Sequence, residues 1–212
     1  MTFRTVLAGA LLVILVIAGG VAWKGWDAMT GLDAPAGAKQ ELCSTLDNDE
    51  RMALVGVETP KTLTNVEGAL DRYTCRWATE DFETVAAFVE VVAAPADEWA
   101  LEIKNTLATR PANQDPRPLI QLREAARNPL RTAADGCRFA WVLFEASGAP
   151  DGAKRVVAPS AFGAQGVPMM MAHSCLEGTY SAVLVTAPGL ALDRSLARKT
   201  AQALRAVEKR LS

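Results

Sequence analysis

Histidine is all but missing from this sequence: His173 is the only one among 212 residues. A Ser-His-Asp or Cys-His nucleophile needs an imidazole beside its hydroxyl or thiol, so it would have to be built around that one side chain. Other signatures of chemistry are lacking too. There is no G-x-S-x-G elbow and no serine followed three residues later by lysine. H-E-x-x-H, the Walker A loop and G-x-G-x-x-G are equally absent, so no cofactor is expected. The 24 carboxylates show no spacing that singles out an acid–base pair. A non-enzyme is therefore expected, with an envelope hydrolase as the catalytic alternative. An excess of basic charge is also missing. The net charge of -2 argues against a nucleic-acid partner, because phosphate binding rests on lysine and arginine.

The chain nonetheless has the means to fold. Hydrophobic residues make up 50% and charged residues 22%, a balance that buries a core rather than leaving a disordered chain. Charge is unevenly placed. Residues 24–110 carry 16 acidic and 8 basic side chains, whereas residues 111–212 carry 8 acidic and 13 basic. Two complementary faces or lobes attracting each other is the plain reading; a basic C-terminal part meeting an anionic surface is the other.

Residues Val6 to Trp23 contain no charged side chain and are dominated by leucine, valine, isoleucine, alanine and glycine. As a helix rising about 1.5 Å per residue it would span about 27 Å, close to the thickness of a hydrocarbon core. Arg4 precedes the run, which favours a cytoplasmic N-terminus, and Trp23 and Trp26 stand where interfacial indoles are expected. Residues 1–26 thus read as a cytoplasmic tip and a transmembrane anchor. The rival is a secretory signal cleaved after Ala22, at Gly20-Val21-Ala22. The run exceeds the usual apolar core of a signal, about 7–15 residues, so a retained anchor is preferred. No cysteine lies near its end, which excludes a lipid-modified N-terminus. On either reading the remainder is exported: to the cell membrane as a single-pass protein, or secreted.

Residues 27–40, rich in glycine, alanine and proline, read as a flexible tether with a reach of about 20 Å. The extracytoplasmic domain is then 41–212, with possible halves at 41–110 and 136–212. All four cysteines, Cys43, Cys75, Cys137 and Cys175, fall within it. An even count in an exported domain reads as two disulfides. Of three connectivities, Cys43–Cys75 with Cys137–Cys175 is preferred, because each bridge then closes a local loop.

Periodicity predicts an α+β fold with a mainly antiparallel sheet backed by helices. Leu42 and Leu46 share one helical face, and Asp47 or Asn48 can cap a short helix ending at Val55-Gly56. Strands are predicted at Arg72–Ala78 and Glu83–Ala93, joined by a turn at Thr79–Phe82. A helix capped by Asp97 follows, with Trp99, Ile103 and Leu107 on its buried face. Residues 110–135 bridge the halves, with a short helix at Leu119–Arg127. Cys137–Glu145 reads as a strand, Gly148–Gly152 as a turn and Lys154–Ala158 as a partner strand. Thr179–Ala187 is a further strand. The last helix runs from Leu192 to Leu211, with Leu196, Thr200, Leu204, Val207 and Leu211 facing inward. Strand-Ala94-Pro95-helix and strand-Ala187-Pro188-helix suggest an internal duplication. Trp77, Trp99 and Trp141 are expected in the core.

The segment Glu41-Leu42-Cys43-Ser44-Thr45-Leu46, the short helix ending at Val55-Gly56, then Tyr73-Thr74-Cys75-Arg76-Trp77 and a valine-rich strand resemble actinobacterial cell-envelope domains of unknown function. Those domains, often lipoproteins, pair a leucine-cysteine helix with a cysteine-x-tryptophan strand. The likeness covers about residues 40–95 and implies an envelope location; it implies no catalytic residues.

The leading expectation is a non-catalytic, membrane-anchored module that binds an envelope protein or ligand. Three other readings stand beside it. The run Met169-Met170-Met171-Ala172-His173 combines thioethers with an imidazole, ligands suited to Cu(I), though methionines packed in a loop against the core explain it equally. An apolar-ligand cavity between sheet and helices is the second. The third is the hydrolase named above. The basic face of the last helix, Arg194, Arg198, Lys199, Arg205, Lys209 and Arg210, is either a solvated surface or a contact for anionic headgroups.

Overall fold

The computed structural model describes residues 42–67, 72–79, 87–109, 117–160 and 168–211. The anchor expected at Val6–Trp23, the tether at 27–40 and most of the turn at Thr79–Phe82 lie outside the described residues. Among the described residues, no helix is long and apolar enough to cross a membrane.

Helix α1 spans Asn48–Val55 because both of its ends are specified locally. Asp47 accepts the Glu50 N–H at 2.8 Å while the Glu50 carboxylate accepts the Asp47 N–H at 3.0 Å, a reciprocal capping box. At the other end Gly56 adopts φ 78° and returns its N–H to the Met52 carbonyl. Strands β1 (Lys61–Glu67), β2 (Arg72–Ala78) and β3 (Phe88–Pro95) follow. They pair antiparallel, with Thr64 opposite Cys75 and Arg76 opposite Glu90. Helix α2 (Ala96–Thr109) begins directly after Pro95, α3 spans Arg117–Ala125 and α4 spans Ala133–Ala146. Then come β4 (Arg155–Ser160), β5 (Met169–Leu176), β6 (Thr179–Thr186) and α5 (Arg194–Leu211).

The fold is α+β, with the strands in one six-stranded sheet ordered β1-β2-β3-β6-β5-β4. Each half of the chain contributes the same sequence of elements, helix, three strands, helix: α1-β1-β2-β3-α2 and α4-β4-β5-β6-α5, with α3 in the connection. The sheet order reads outward from β3 and β6 to β1 and β4, so the halves enter it in mirrored sequence. Helix pairing follows the same rule: α4 packs with α2, and α1 packs with α5.

Two expectations are corrected here. Cys137–Glu145 is helix, not strand. Cys137, Phe139, Trp141 and Leu143 alternate as a strand would, but Thr132 and Asp135 form a capping box just ahead of them. Gly136, Ala140, Leu143 and Phe144 then bury one helical face. The Met169–Cys175 stretch is strand β5 rather than a loop, and it is buried on both faces, which erases the alternation a half-buried strand shows. β1 was not foreseen at all. Its sequence, KTLTNVE, has too few apolar residues to alternate, as suits a strand at the end of the sheet.

The chain divides into two compact units. The first comprises, among described residues, Ala94–Val156 and Ser174–Tyr180. Its helices α2 and α4 meet so closely that a Cβ on Gly136 would lie 2.2 Å from the Ala96 carbonyl group. The loop between β5 and β6 is Glu177-Gly178, both with positive φ, the geometry of a tight two-residue hairpin. The Gly178 carbonyl accepts the Ala96 N–H at 2.8 Å, tying that turn to the start of α2. Trp99 stacks on Tyr180 with ring centroids 3.9 Å apart and meets Phe139 edge-on at 6.4 Å. The Arg123 guanidinium caps the end of α2 by donating to the Leu107 carbonyl. Trp141, expected in the core, is only half-buried: its indole N–H donates to the Cys175 carbonyl at 3.1 Å and Lys154 sits 5.5 Å above the ring.

The second unit comprises the described residues within 42–93, 157–173 and 181–211. Its core is one cluster: Leu42, Leu46, Leu54 and Val55 from the α1 region; Cys75, Trp77, Val89, Val91 and Ala93; Met170, Ala172, Val183 and Val185; and Leu196, Ala203, Leu204 and Val207 of α5. Leu211, expected on the buried face of α5, is exposed because it ends the helix beyond the last core contact.

Candidate functional site

The strand geometry of β5 divides the methionine-histidine run. Successive side chains point to opposite faces, so Met169, Met171 and His173 share one face while Met170 and Ala172 share the other. Met170 and Ala172 belong to the second unit's core cluster. Met171 and His173 are each 1% exposed. The four candidate Cu(I) ligands are thus not brought to one point: three follow one another along a strand face, and Met170 turns away. Among the described residues, no three His, Cys, Asp or Glu side chains gather as a metal site would require.

His173 is held neutral. Full burial pushes its pKa down to about 4, since the imidazolium would lose its hydration there. Its neighbour Ser174 is also buried, and the Ser174 Oγ finds no hydrogen-bond partner among the described residues.

The cysteines are all paired. Cys43 bonds to Cys75 and Cys137 to Cys175, with Cα–Cα separations of 5.4 and 5.2 Å. Each bridge joins the helical start of its half to the middle strand of that half: the turn ahead of α1 to β2, and α4 to β5.

Sequence reasoning missed a charged cluster on β2 and β3. Arg76 forms an ion pair with Glu90, the residue opposite it in register, and its guanidinium lies 4.7 Å from the Phe88 ring. Glu90 is buried while the Arg76 side chain remains 39% exposed, so only one partner has left water. The signal was faint: a lone glutamate in a valine-rich run, opposite an arginine whose register could not be known. A second cation–π contact places Arg51 5.0 Å from the Trp77 ring. The Arg51 guanidinium also donates to the Leu46 carbonyl at 2.6 Å, and burial lowers its pKa against the opposing charges of Asp47 and Glu50. Both clusters fasten elements together rather than forming a cleft.

The basic residues of α5 separate into two sets. Lys199 donates to the Ala53 carbonyl at 2.9 Å, and Arg210 donates to the Ser44 hydroxyl at 2.9 Å. Arg194, Arg198, Arg205 and Lys209 are exposed, on the side of the helix opposite Leu196, Thr200, Leu204 and Val207.

No family model, no curated protein and no solved structure matches the chain.

Proposed function

We propose that this chain is a non-catalytic, single-pass membrane-anchored module whose body lies outside the cytoplasm and binds another envelope component. The cysteine arrangement carries the reading. All four cysteines follow the uncharged run Val6–Trp23, and all four are joined within the body. Such bridges persist in oxidising compartments and are rare where glutathione keeps thiols reduced. The run has the length of a retained anchor.

The groups from which sequence chemistry would start also have structural employment. The thiols are consumed in disulfides, His173 is neutral within the fold, and Met170 is core. These placements support a binding rather than a catalytic role. The proposed kinship with actinobacterial envelope domains belongs to the same reading. It is supported by the bridge that joins Cys43, next to the buried Leu42, to Cys75, two residues before the buried Trp77. The repeated order of helix, three strands and helix, with one bridge per repeat, supports descent by duplication.

Photo-crosslinkers at Met52 and Leu101, exposed apolar side chains of the two units, test the proposal in cells. A discrete adduct with an envelope protein, recovered from membranes, is the expected result. A chain recovered from the cytosol with free thiols would overturn it, as would a hydrolytic activity abolished by substituting one exposed carboxylate.

A further inference from the structure

One face of α5 carries four basic residues and one glutamine and is held away from the core. Arg194, Arg198, Gln202, Arg205 and Lys209 recur at intervals of three and four, so they stack into one stripe. At about 1.5 Å per residue the stripe is about 22 Å long. It lies opposite the buried residues Leu196, Thr200, Ala203, Leu204 and Val207, and therefore faces directly outward. The one acidic residue within the helix, Glu208, is half-buried and lies at the edge of the stripe, three residues after Arg205. Arg194, Arg198 and Arg205 make no ion pair among the described residues. The flank carrying Lys199 and Arg210 is different. It is turned toward α1 and the segment ahead of it, where Lys199 donates to the Ala53 carbonyl and Arg210 to the Ser44 hydroxyl.

The second observation is where this helix sits within its unit. Arg210 bonds to Ser44, and Leu42 shares a core cluster with Leu204 and Val207. The last turns of α5 are therefore beside the residues at which the chain enters the body from residues 1–41. In the sequence, Val6–Trp23 is uncharged, and the 14 residues 27–40 would reach about 20 Å if they form the tether expected of them. A helix fixed beside the entry point of so short a tether stays within a few nanometres of any bilayer that holds the apolar run. Its local concentration at that surface is then set by the tether and not by free diffusion.

We propose that the Arg194–Lys209 face of α5 docks the body onto anionic phospholipid headgroups of the membrane in which the chain is anchored. The proposal rests on the anchored reading given above. Spaced guanidinium groups suit a plane of phosphates, because each donates to phosphate oxygens in a fixed fork and remains charged at all accessible pH values. The contact is electrostatic: it needs anionic lipid and weakens as salt shortens the Debye length. Docking would lay α5 against the membrane.

The test uses the full chain carrying a fluorescent amino acid at Gln202, in the middle of the stripe. It is reconstituted into vesicles of phosphatidylcholine alone or with about one-third phosphatidylglycerol, each doped with a headgroup-quencher lipid. Flotation of the same samples reports anchoring separately. The expected result is flotation with both vesicle types and at least about three-fold stronger quenching on the anionic ones. That excess should vanish near 0.5 M salt (roughly a 4 Å Debye length) and in an Arg194→Glu/Arg198→Glu/Arg205→Glu variant whose thermal midpoint is unchanged. Equal quenching on neutral and anionic vesicles, or quenching that survives charge reversal, overturns the docking. A stripe left in water on both lipids also overturns it and makes an acidic protein the partner for that face. Flotation with anionic vesicles only, lost on charge reversal, keeps the docking while removing the anchor. No flotation with either removes both.

Discussion

His173 shows how one residue can set a pH limit on a fold. With its folded pKa near 4 and an ordinary value of about 6.5, the native protein declines a proton that the unfolded chain accepts. Stability is therefore whole above about pH 6.5, falls as pH drops through the interval, and levels off below about 4. Between pH 7.5 and 5 the loss from this one group is about 2 kcal/mol. Urea unfolding at the two pH values should show that loss in the native sequence, and His173→Gln should remove most of it. An unchanged pH slope in the variant would mean that His173 is not the group responsible. Gly136 makes a second residue-scale case. A methyl group there meets the Ala96 backbone at 2.2 Å, and backbone cannot swing aside as a side chain can. Gly136→Ala should cost about 3 kcal/mol, read as a lower urea midpoint with an unchanged slope.

Among the elements, those with a strong periodic signal were legible. α1 announced itself through the Asp47 cap and the Gly56 stop, and β2 through the alternation of Cys75 and Trp77 with Thr74 and Arg76. α2 and α5 did so through buried-face residues three and four apart (Trp99, Ile103 and Leu107; Leu196, Thr200, Leu204 and Val207). The cap expected at Asp97 is instead a first-turn residue, since α2 begins at Ala96. The failures share a cause. α4 and β5 are rich in apolar residues on most sides, so α4 fits a strand's alternation as readily as a helix's period and β5 shows no alternation at all. Only the Thr132–Asp135 capping box distinguished α4, and it lies outside the apolar run. β1 failed the opposite way, being too polar to read as a strand. The candidate Cu(I) run was a site only if local; once β5 became a strand, the pleat sent Met170 to the other face. The Arg76–Glu90 pair depends on register across a segment whose length in loop residues the sequence does not reveal. At this scale the disulfides make the clearest expectation. Each links a helical segment to the middle strand of its half across 32 or 38 residues. Replacing Cys43 and Cys75 together by alanine should lower unfolding free energy by about 3–4 kcal/mol, and the Cys137/Cys175 double variant by a similar amount. Denaturant titration under non-reducing conditions measures both, and a loss below about 1 kcal/mol in either would show that its bridge does not constrain the unfolded chain.

For the molecule as a whole, the sheet order β1-β2-β3-β6-β5-β4 places like elements of two halves in mirrored positions. The division of charge along the sequence, acidic to residue 110 and basic after it, therefore also divides the repeats. Much of the acidic excess lies around α1 and in α2, and much of the basic excess in α5, where Lys199 and Arg210 are bonded toward the α1 region and Arg194, Arg198 and Arg205 face outward. A net charge of -2 thus conceals a locally cationic face. Both the proposed address and the proposed docking depend on the body being exported while the apolar run remains attached. Intact mass and non-reducing peptide mapping of the protein taken from isolated membranes test that claim most directly. The account requires Val6–Trp23 to be retained and only the Cys43–Cys75 and Cys137–Cys175 bridges to be found. Free thiols at these four positions, or a mature chain beginning near residue 23, would contradict it.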